Sequence, residues 1–110
     1  MPRRIDPNSL KSHVLHVVRS RNSTTPIKMK KLAERCGCST RHIREAVHSL
    51  RADDNMPICG DNIGYYWPRF KTEWEITTRR LKSQAKKIMD AALGGDQHFI
   101  NSETNQESMF

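Results

Sequence analysis

Apolar side chains recur at helical spacing over four stretches of this chain, and a fifth stretch alternates like a strand pair. Leu10, Val14, Val17 and Val18 share one helical face. Asp6-Pro7 ahead of them supplies a capping carboxylate and a proline suited to a first turn, so residues 7–20 are expected to form the first helix. Arg21 to Pro26 is a turn cluster, and Ile27 opens a very short extended segment. A second helix is expected over about residues 28–36, with Met29, Leu32 and Ala33 inward and Lys28, Lys30, Lys31 and Arg35 outward. A third runs over 40–52, with Ile43, Ala46, Val47 and Leu50 on one face, and Asp53-Asp54-Asn55 ends it.

The pattern then changes period. Pro57-Ile58-Cys59 and Tyr65-Tyr66-Trp67 flank Gly60-Asp61-Asn62-Ile63-Gly64, which predicts two short strands around a glycine-bounded loop. One side of the aromatic strand is expected to pack on the core. Thr72 and Glu75 fit a capping box ahead of a last helix over 73–93. In that helix Trp74, Thr78, Leu81, Ala85, Ile88 and Ala92 recur at alternating steps of four and three. Such a seam serves either packing on the first helix or dimerisation through Trp74, Leu81, Ala85 and Ile88. Gly94-Gly95 is expected to stop the helix, leaving 94–110 as a disordered tail. Its apolar Phe99, Ile100, Met109 and Phe110 make it a possible docking peptide for a protein partner.

The junction between the second and third helices has the chemistry of a helix-turn-helix. Ala33 is small where two helices cross, Gly37 permits the left-handed backbone of a tight turn, and Ser39 can cap the third helix. The polar face of that helix then carries Thr40, Arg41, Arg44, Glu45 and His48. Two arginines, a hydroxyl and a histidine suit phosphate oxygens and base edges.

Leu32-Ala33-Glu34-Arg35-Cys36-Gly37-Cys38-Ser39-Thr40-Arg41-His42-Ile43-Arg44 resembles the "LAE-x-x-G-x-S-x-R-x-I-R" stretch of biotin-repressor-like bacterial and phage regulators. The segment from Pro57 to Trp67 looks like the wing of small phage-type proteins of that kind. The resemblance, over about residues 8–70, implies a winged helix-turn-helix domain at 1–71 that binds double-stranded DNA. It is followed by a C-terminal helix at 72–93 for packing or dimerisation. The expected fold class is mainly α, with a small β-hairpin wing and a long C-terminal amphipathic helix. The third helix would enter the major groove and the wing would touch the backbone. Arg41 and Arg44 would contact guanine or phosphate, Ser39 and Thr40 would lie at a phosphate-binding helix N-terminus, and Glu45 would accept from cytosine. His48 would share that face. Lys28, Lys30, Lys31 and, at the wing tip, Asn62 would meet phosphates. The wing lacks Lys and Arg between Cys59 and Trp67, so Arg69 and Lys71 are the alternative contacts there. The biotin repressor's ligand-binding and catalytic domain has no counterpart, so its enzymatic activity does not carry over.

Charge sharpens this reading. Of the net charge of +7, residues 1–51 hold 12 Lys and Arg against 3 Asp and Glu, a balance of +9 on the half that carries the motif. Residues 52–93 are nearly neutral and 94–110 hold only three acids. Such an excess favours any polyanion, and its coincidence with the motif points to DNA.

At 110 residues the chain holds one domain with a modest core. No run approaches about 18 apolar residues, so no membrane span is expected. The start, Met-Pro-Arg-Arg, lacks an apolar stretch behind it, so no secretory signal is expected either. A cytoplasmic location follows (the host cell's, if phage-encoded). Cys36, Cys38 and Cys59 are an odd set in which the C-x-C spacing suits neither a disulfide nor zinc, even with His42 as a fourth ligand. His13 and His16 share a face without a third ligand. No metal and no cofactor are expected. Neither is an enzyme: Asp53, Asp54 and Asp61 lie in turns, and no nucleophile–base set or phosphate loop is present. Sequence-specific regulation of transcription ranks first. A replication or recombination accessory that marks a DNA site ranks second, and a purely protein-binding domain a distant third.

Overall fold

The computed structural model describes residues 6–61 and 64–108. In chain order it contains α1 (Pro7–Arg19), α2 (Met29–Cys36), α3 (Thr40–Ala52), β1 (Cys59–Asp61), β2 (Gly64–Tyr66) and α4 (Lys71–Ser108). The class is the expected one: mainly helical, with one small antiparallel hairpin and a long last helix. Two compact units divide the chain, Met1–Thr77 and Thr78–Phe110.

Each helix boundary in the first unit has a local cause. Asp6 is extended, and its carboxylate accepts the Asn8 N–H at 3.1 Å and the Ser9 hydroxyl at 3.3 Å. Pro7 follows in the first turn, where its missing N–H costs nothing. At the end of α2, Gly37 adopts φ 65°, ψ 38°, and the Gly37 and Cys38 N–H groups return to the Glu34 and Ala33 carbonyls. Ser39 then caps α3, its hydroxyl accepting the His42 N–H at 3.3 Å. Asn55 takes φ 58° after α3, and the Met56 N–H turns back to the Leu50 carbonyl at 2.9 Å.

The core is the one the helical periodicity predicts. Leu10, Val14, Val17 and Val18 of α1 meet Leu32 and Ala33 of α2 and Ile43, Ala46, Val47 and Leu50 of α3. Ile27, Ile58 and Tyr65 close the cluster from the hairpin side. Burial of each large aliphatic contributes about 1.5–3 kcal/mol before chain entropy is set against it. With one face so committed, α3 keeps its other face for solvent.

The hairpin forms where it was expected, with its strand bounds shifted inward by one or two residues. Its strands keep Cys59, Tyr65 and Tyr66 of the expected ones and extend into the glycine-bounded segment, pairing Cys59 with Tyr66, Gly60 with Tyr65 and Asp61 with Gly64. Two long-range contacts decide this register. Ile27 forms an antiparallel bridge with Tyr65, each N–H reaching the other's carbonyl at 2.9 Å. Arg51 of α3 donates from Nε to the Ile58 carbonyl at 2.9 Å and from Nη2 to the Gly60 carbonyl at 3.0 Å. Gly60 is required sterically: at φ 95°, a Cβ there would lie 1.9 Å from the Gly64 carbonyl oxygen.

Two expectations about the last helix are corrected. The Thr72–Glu75 capping box does not form. The helix starts at Lys71, and Glu73 reaches back to accept the Arg69 N–H at 2.9 Å. That bond, aided by the Ser23 hydroxyl, holds the Glu73 carboxyl below the usual carboxylate range. Nor does Gly94-Gly95 stop the helix. Neither glycine adopts the left-handed backbone seen at Gly37, and α4 continues to Ser108. Two helical glycines cost about 1 kcal/mol each relative to alanine, which the alanine- and leucine-containing turn before them offsets only in part. The segment expected as a disordered tail is therefore helical through residue 108.

The first unit takes in the start of α4 because Thr77 is buried there and its hydroxyl accepts the Gly60 N–H at 3.2 Å.

Candidate nucleic-acid interface

Four of the expected contact residues come together on α3. Arg41, Arg44, Glu45 and His48, at spacings of three, one and three, form one exposed stripe opposite the buried Ile43–Ala46–Val47–Leu50 face. Each is positioned from below by core packing, since α3 cannot rotate without exposing that face. Arg41 Nε donates to Glu45 Oε1 at 3.2 Å, a one-turn pair on a surface open to water. The pair holds the guanidinium along the helix while leaving its remaining donors free for a phosphate or base edge.

Ser39 and Thr40 lie at the N-terminus of α3, as expected. The Ser39 hydroxyl is already engaged as the cap and lies 2.9 Å from His42 Nδ1, so its role is to hold the helix end. Thr40 is half-buried. Lys28 precedes α2 without capping it by a side-chain bond, and Lys28, Lys30 and Lys31 are all exposed. They supply positive charge on the element that enters the turn before α3.

Arg69, just before α4, and Lys71, its first residue, are exposed on a different element from the α3 stripe. They line a shallow cavity of about 350 Å³ with Pro57, Trp67, Pro68, Phe70 and Trp74. Phe70 is exposed on its rim. Trp74, expected in a dimer seam, thus lies half-buried at the hairpin end of the first unit. Leu81 is half-buried, and Ala85 and Ile88 are exposed. Asn62, expected at the wing tip, lies outside the described residues.

The hairpin aromatics divide their work. Tyr65 is buried and points its hydroxyl at Met29 Sδ, 3.8 Å away. Trp67 is half-buried, with the Arg19 guanidinium 5.0 Å above its ring and its backbone N–H donating to the Arg21 carbonyl at 3.1 Å. Arg19 and Arg51 belong to the basic half of the chain, yet each has a structural partner. Lys11 likewise pairs with Asp54. Composition counts these three cations as part of a DNA-binding surface, and only the folded contacts separate them from the α3 stripe.

The cysteines are free. Burial raises the thiol pKa of all three, and at Cys36 a charge on Cys38 would raise it further. Each therefore stays protonated at neutral pH. Cys59, the first residue of β1, is fully buried, and among the described residues no three His, Cys, Asp or Glu side chains converge as metal ligands. Among the described residues no helix is long and apolar enough to cross a membrane.

Comparison with known proteins returned no matching family model, no matching curated protein and no matching solved structure.

Proposed function

We propose that the protein binds double-stranded DNA sequence-specifically as a winged-helix module, and that it acts as a transcription regulator. The observation that carries this reading is the Arg41–Arg44–Glu45–His48 stripe on α3. It is solvent-facing, rigidly backed by the core, and preceded by a left-handed glycine turn. It also lies in the half of the chain that holds the +9 charge balance. A helix of 13 residues is about 20 Å long, enough to lay two to three turns in a major groove. The hairpin would then approach the flanking backbone, with Arg69 and Lys71 as the cations nearest to it in sequence.

The mechanism needs no covalent chemistry. Lysines and arginines displace counterions from phosphates and provide affinity, while hydrogen bonds from the α3 stripe to base edges provide discrimination. The test is selection of a randomised duplex pool at near-physiological salt with excess competitor, followed by fluorescence anisotropy on the enriched sequences. Convergence on one site whose affinity falls with Arg44→Ala supports the reading. Tight but unselective binding overturns the specificity claim and leaves an architectural or accessory role. Absence of binding overturns the DNA reading altogether.

A further inference from the structure

The cavity where β2 runs into α4 plays no part in the α3 stripe, and all its lining residues belong to the first unit. Trp67, Phe70 and Trp74 form its aromatic walls, so both tryptophans of the chain lie there. The segment that carries them is held in place. Trp67 donates its backbone N–H to the Arg21 carbonyl at 3.1 Å. Arg69 donates its own to the Glu73 carboxylate at 2.9 Å, and Glu73 returns a bond to the Phe70 carbonyl at 3.1 Å. Pro68 fixes φ between them. Phe70 nevertheless stands 67 % exposed, beside two half-buried tryptophans. A cluster of aromatics kept at the surface by a hydrogen-bonded turn, with one ring adding nothing to the core, has the form of a binding site.

Shape, charge and size together name the occupant. Aromatic walls favour a flat ring. Arg69 and Lys71 add two exposed cations to a lining that contains no acid, and neither forms an ion pair among the described residues. They favour a negative charge next to that ring. At about 350 Å³ the cavity lies at the small end of ligand pockets, which run to roughly 1,000 Å³. Being shallow, it admits one ring of a longer molecule. A base with its phosphate, part of a single strand, meets all three conditions. A proline-rich peptide suits the aromatic walls but makes no use of the two cations.

We propose that this cavity binds single-stranded DNA, stacking a base against Phe70 and the tryptophans while Arg69 and Lys71 hold the adjoining phosphates. The site goes beyond duplex recognition through α3 and is measured without duplex, so either reading can fail alone. Stacking on aromatic rings is indifferent to base identity, so the site adds affinity for unpaired strands without sequence preference.

Because Trp67 and Trp74 are the only tryptophans, intrinsic emission reports on this cavity directly. The full-length protein is titrated with a fluorescein-labelled oligothymidylate of about twelve residues, within the roughly 4–16 nucleotides that such sites span. Tryptophan quenching that saturates together with the anisotropy of the strand is the expected result. Phe70→Ala, at an exposed position that the core does not use, should weaken binding at least about fivefold, as for the loss of one stacked base. Arg69→Gln with Lys71→Gln should shallow the slope of log affinity against log salt by about 1.4, two single-strand phosphates at about 0.7 each. An abasic strand of the same length keeps the phosphates alone and should bind more weakly without quenching. Absence of binding, binding without quenching, or affinity unchanged by Phe70→Ala overturns the proposal. So does an abasic strand that binds as tightly, or free thymidine monophosphate that matches the strand and makes the ligand a nucleotide. Quenching by a proline-rich peptide and not by the strand would assign the cavity to a protein partner and overturn it equally.

Discussion

Arg41 and Arg44 stand in the same stripe, but Arg41 is tethered to Glu45 at 3.2 Å and Arg44 is exposed beside it. Arg44→Ala is therefore expected to cost about 1–3 kcal/mol on a selected DNA site if it grips guanine bidentately, and much less on random duplex. An equal loss on both would make it a phosphate contact. Glu45→Ala removes a negative charge from the stripe and frees Arg41, so binding to random duplex should tighten while discrimination between sites falls. Anisotropy titrations on the two kinds of duplex read both effects. Arg51 is a different case on the same helix, because it donates to the Ile58 and Gly60 carbonyls. Arg51→Met should lower stability by about 1–3 kcal/mol, measured by urea unfolding, since it strips charged donors from half-buried carbonyls. The amino-acid type is the same at positions 44 and 51 and, seven residues apart, both leave nearly the same face of α3; what separates them is that Arg51 lies in the last turn, within reach of the Ile58 and Gly60 carbonyls.

The elements carry their own tests. Glu73 caps the start of α4 through the Arg69 N–H, and its carboxyl is held below the usual carboxylate range. A depressed folded-state pKa contributes stability that is present above the unfolded pKa of about 4.3 and is lost as pH falls through the folded value. Glu73→Gln should therefore flatten the acid limb of the stability–pH curve and leave the neutral-to-alkaline part parallel to wild type. Thermal unfolding from about pH 7 down to about pH 3 would show it, and an unchanged acid limb would remove Glu73 from the account. Further along α4, Gly94→Ala and Gly95→Ala should each favour the helix by about 1 kcal/mol and raise far-UV helicity. No gain would mean that these positions are not helical in solution. The start and continuation of α4 are also where sequence reasoning failed. A Thr-x-x-Glu pattern and a Gly-Gly pair are sound local signals. Here a glutamate two residues earlier takes the cap, and the alanine- and leucine-containing turn before the glycines offsets part of their cost as the helix runs on.

For the molecule as a whole, DNA affinity should be governed by charge. If six to ten phosphates are contacted, affinity falls by about 10³–10⁵-fold between 50 and 200 mM salt. The slope of log affinity against log salt counts those contacts. Substituting exposed Lys30 or Lys31 should shallow it by about one unit each, whereas replacing Arg19, which stacks on Trp67, should change stability before it changes the slope. A slope unaffected by any α2 or α3 cation would move the contact surface elsewhere.

Local chemistry was enough to place the first three helices, their inward faces and their caps. Asp6-Pro7, Gly37 and Ser39 act on backbone groups within a few residues, and the periodicity of Leu10 to Val18 and Ile43 to Leu50 states which side is buried. The stripe of Arg41, Arg44, Glu45 and His48 was legible for the same reason, being the complement of the buried face. What the tertiary structure alone decided rests on partners far apart in sequence. The Ile27–Tyr65 bridge and the reach of Arg51 to Ile58 and Gly60 fixed the hairpin register. The pairing of Arg19 with Trp67 and of Lys11 with Asp54 withdrew cations from the surface that composition had assigned to DNA. Spacing along a chain encodes a face, but which distant group that face meets depends on how the helices close around the core.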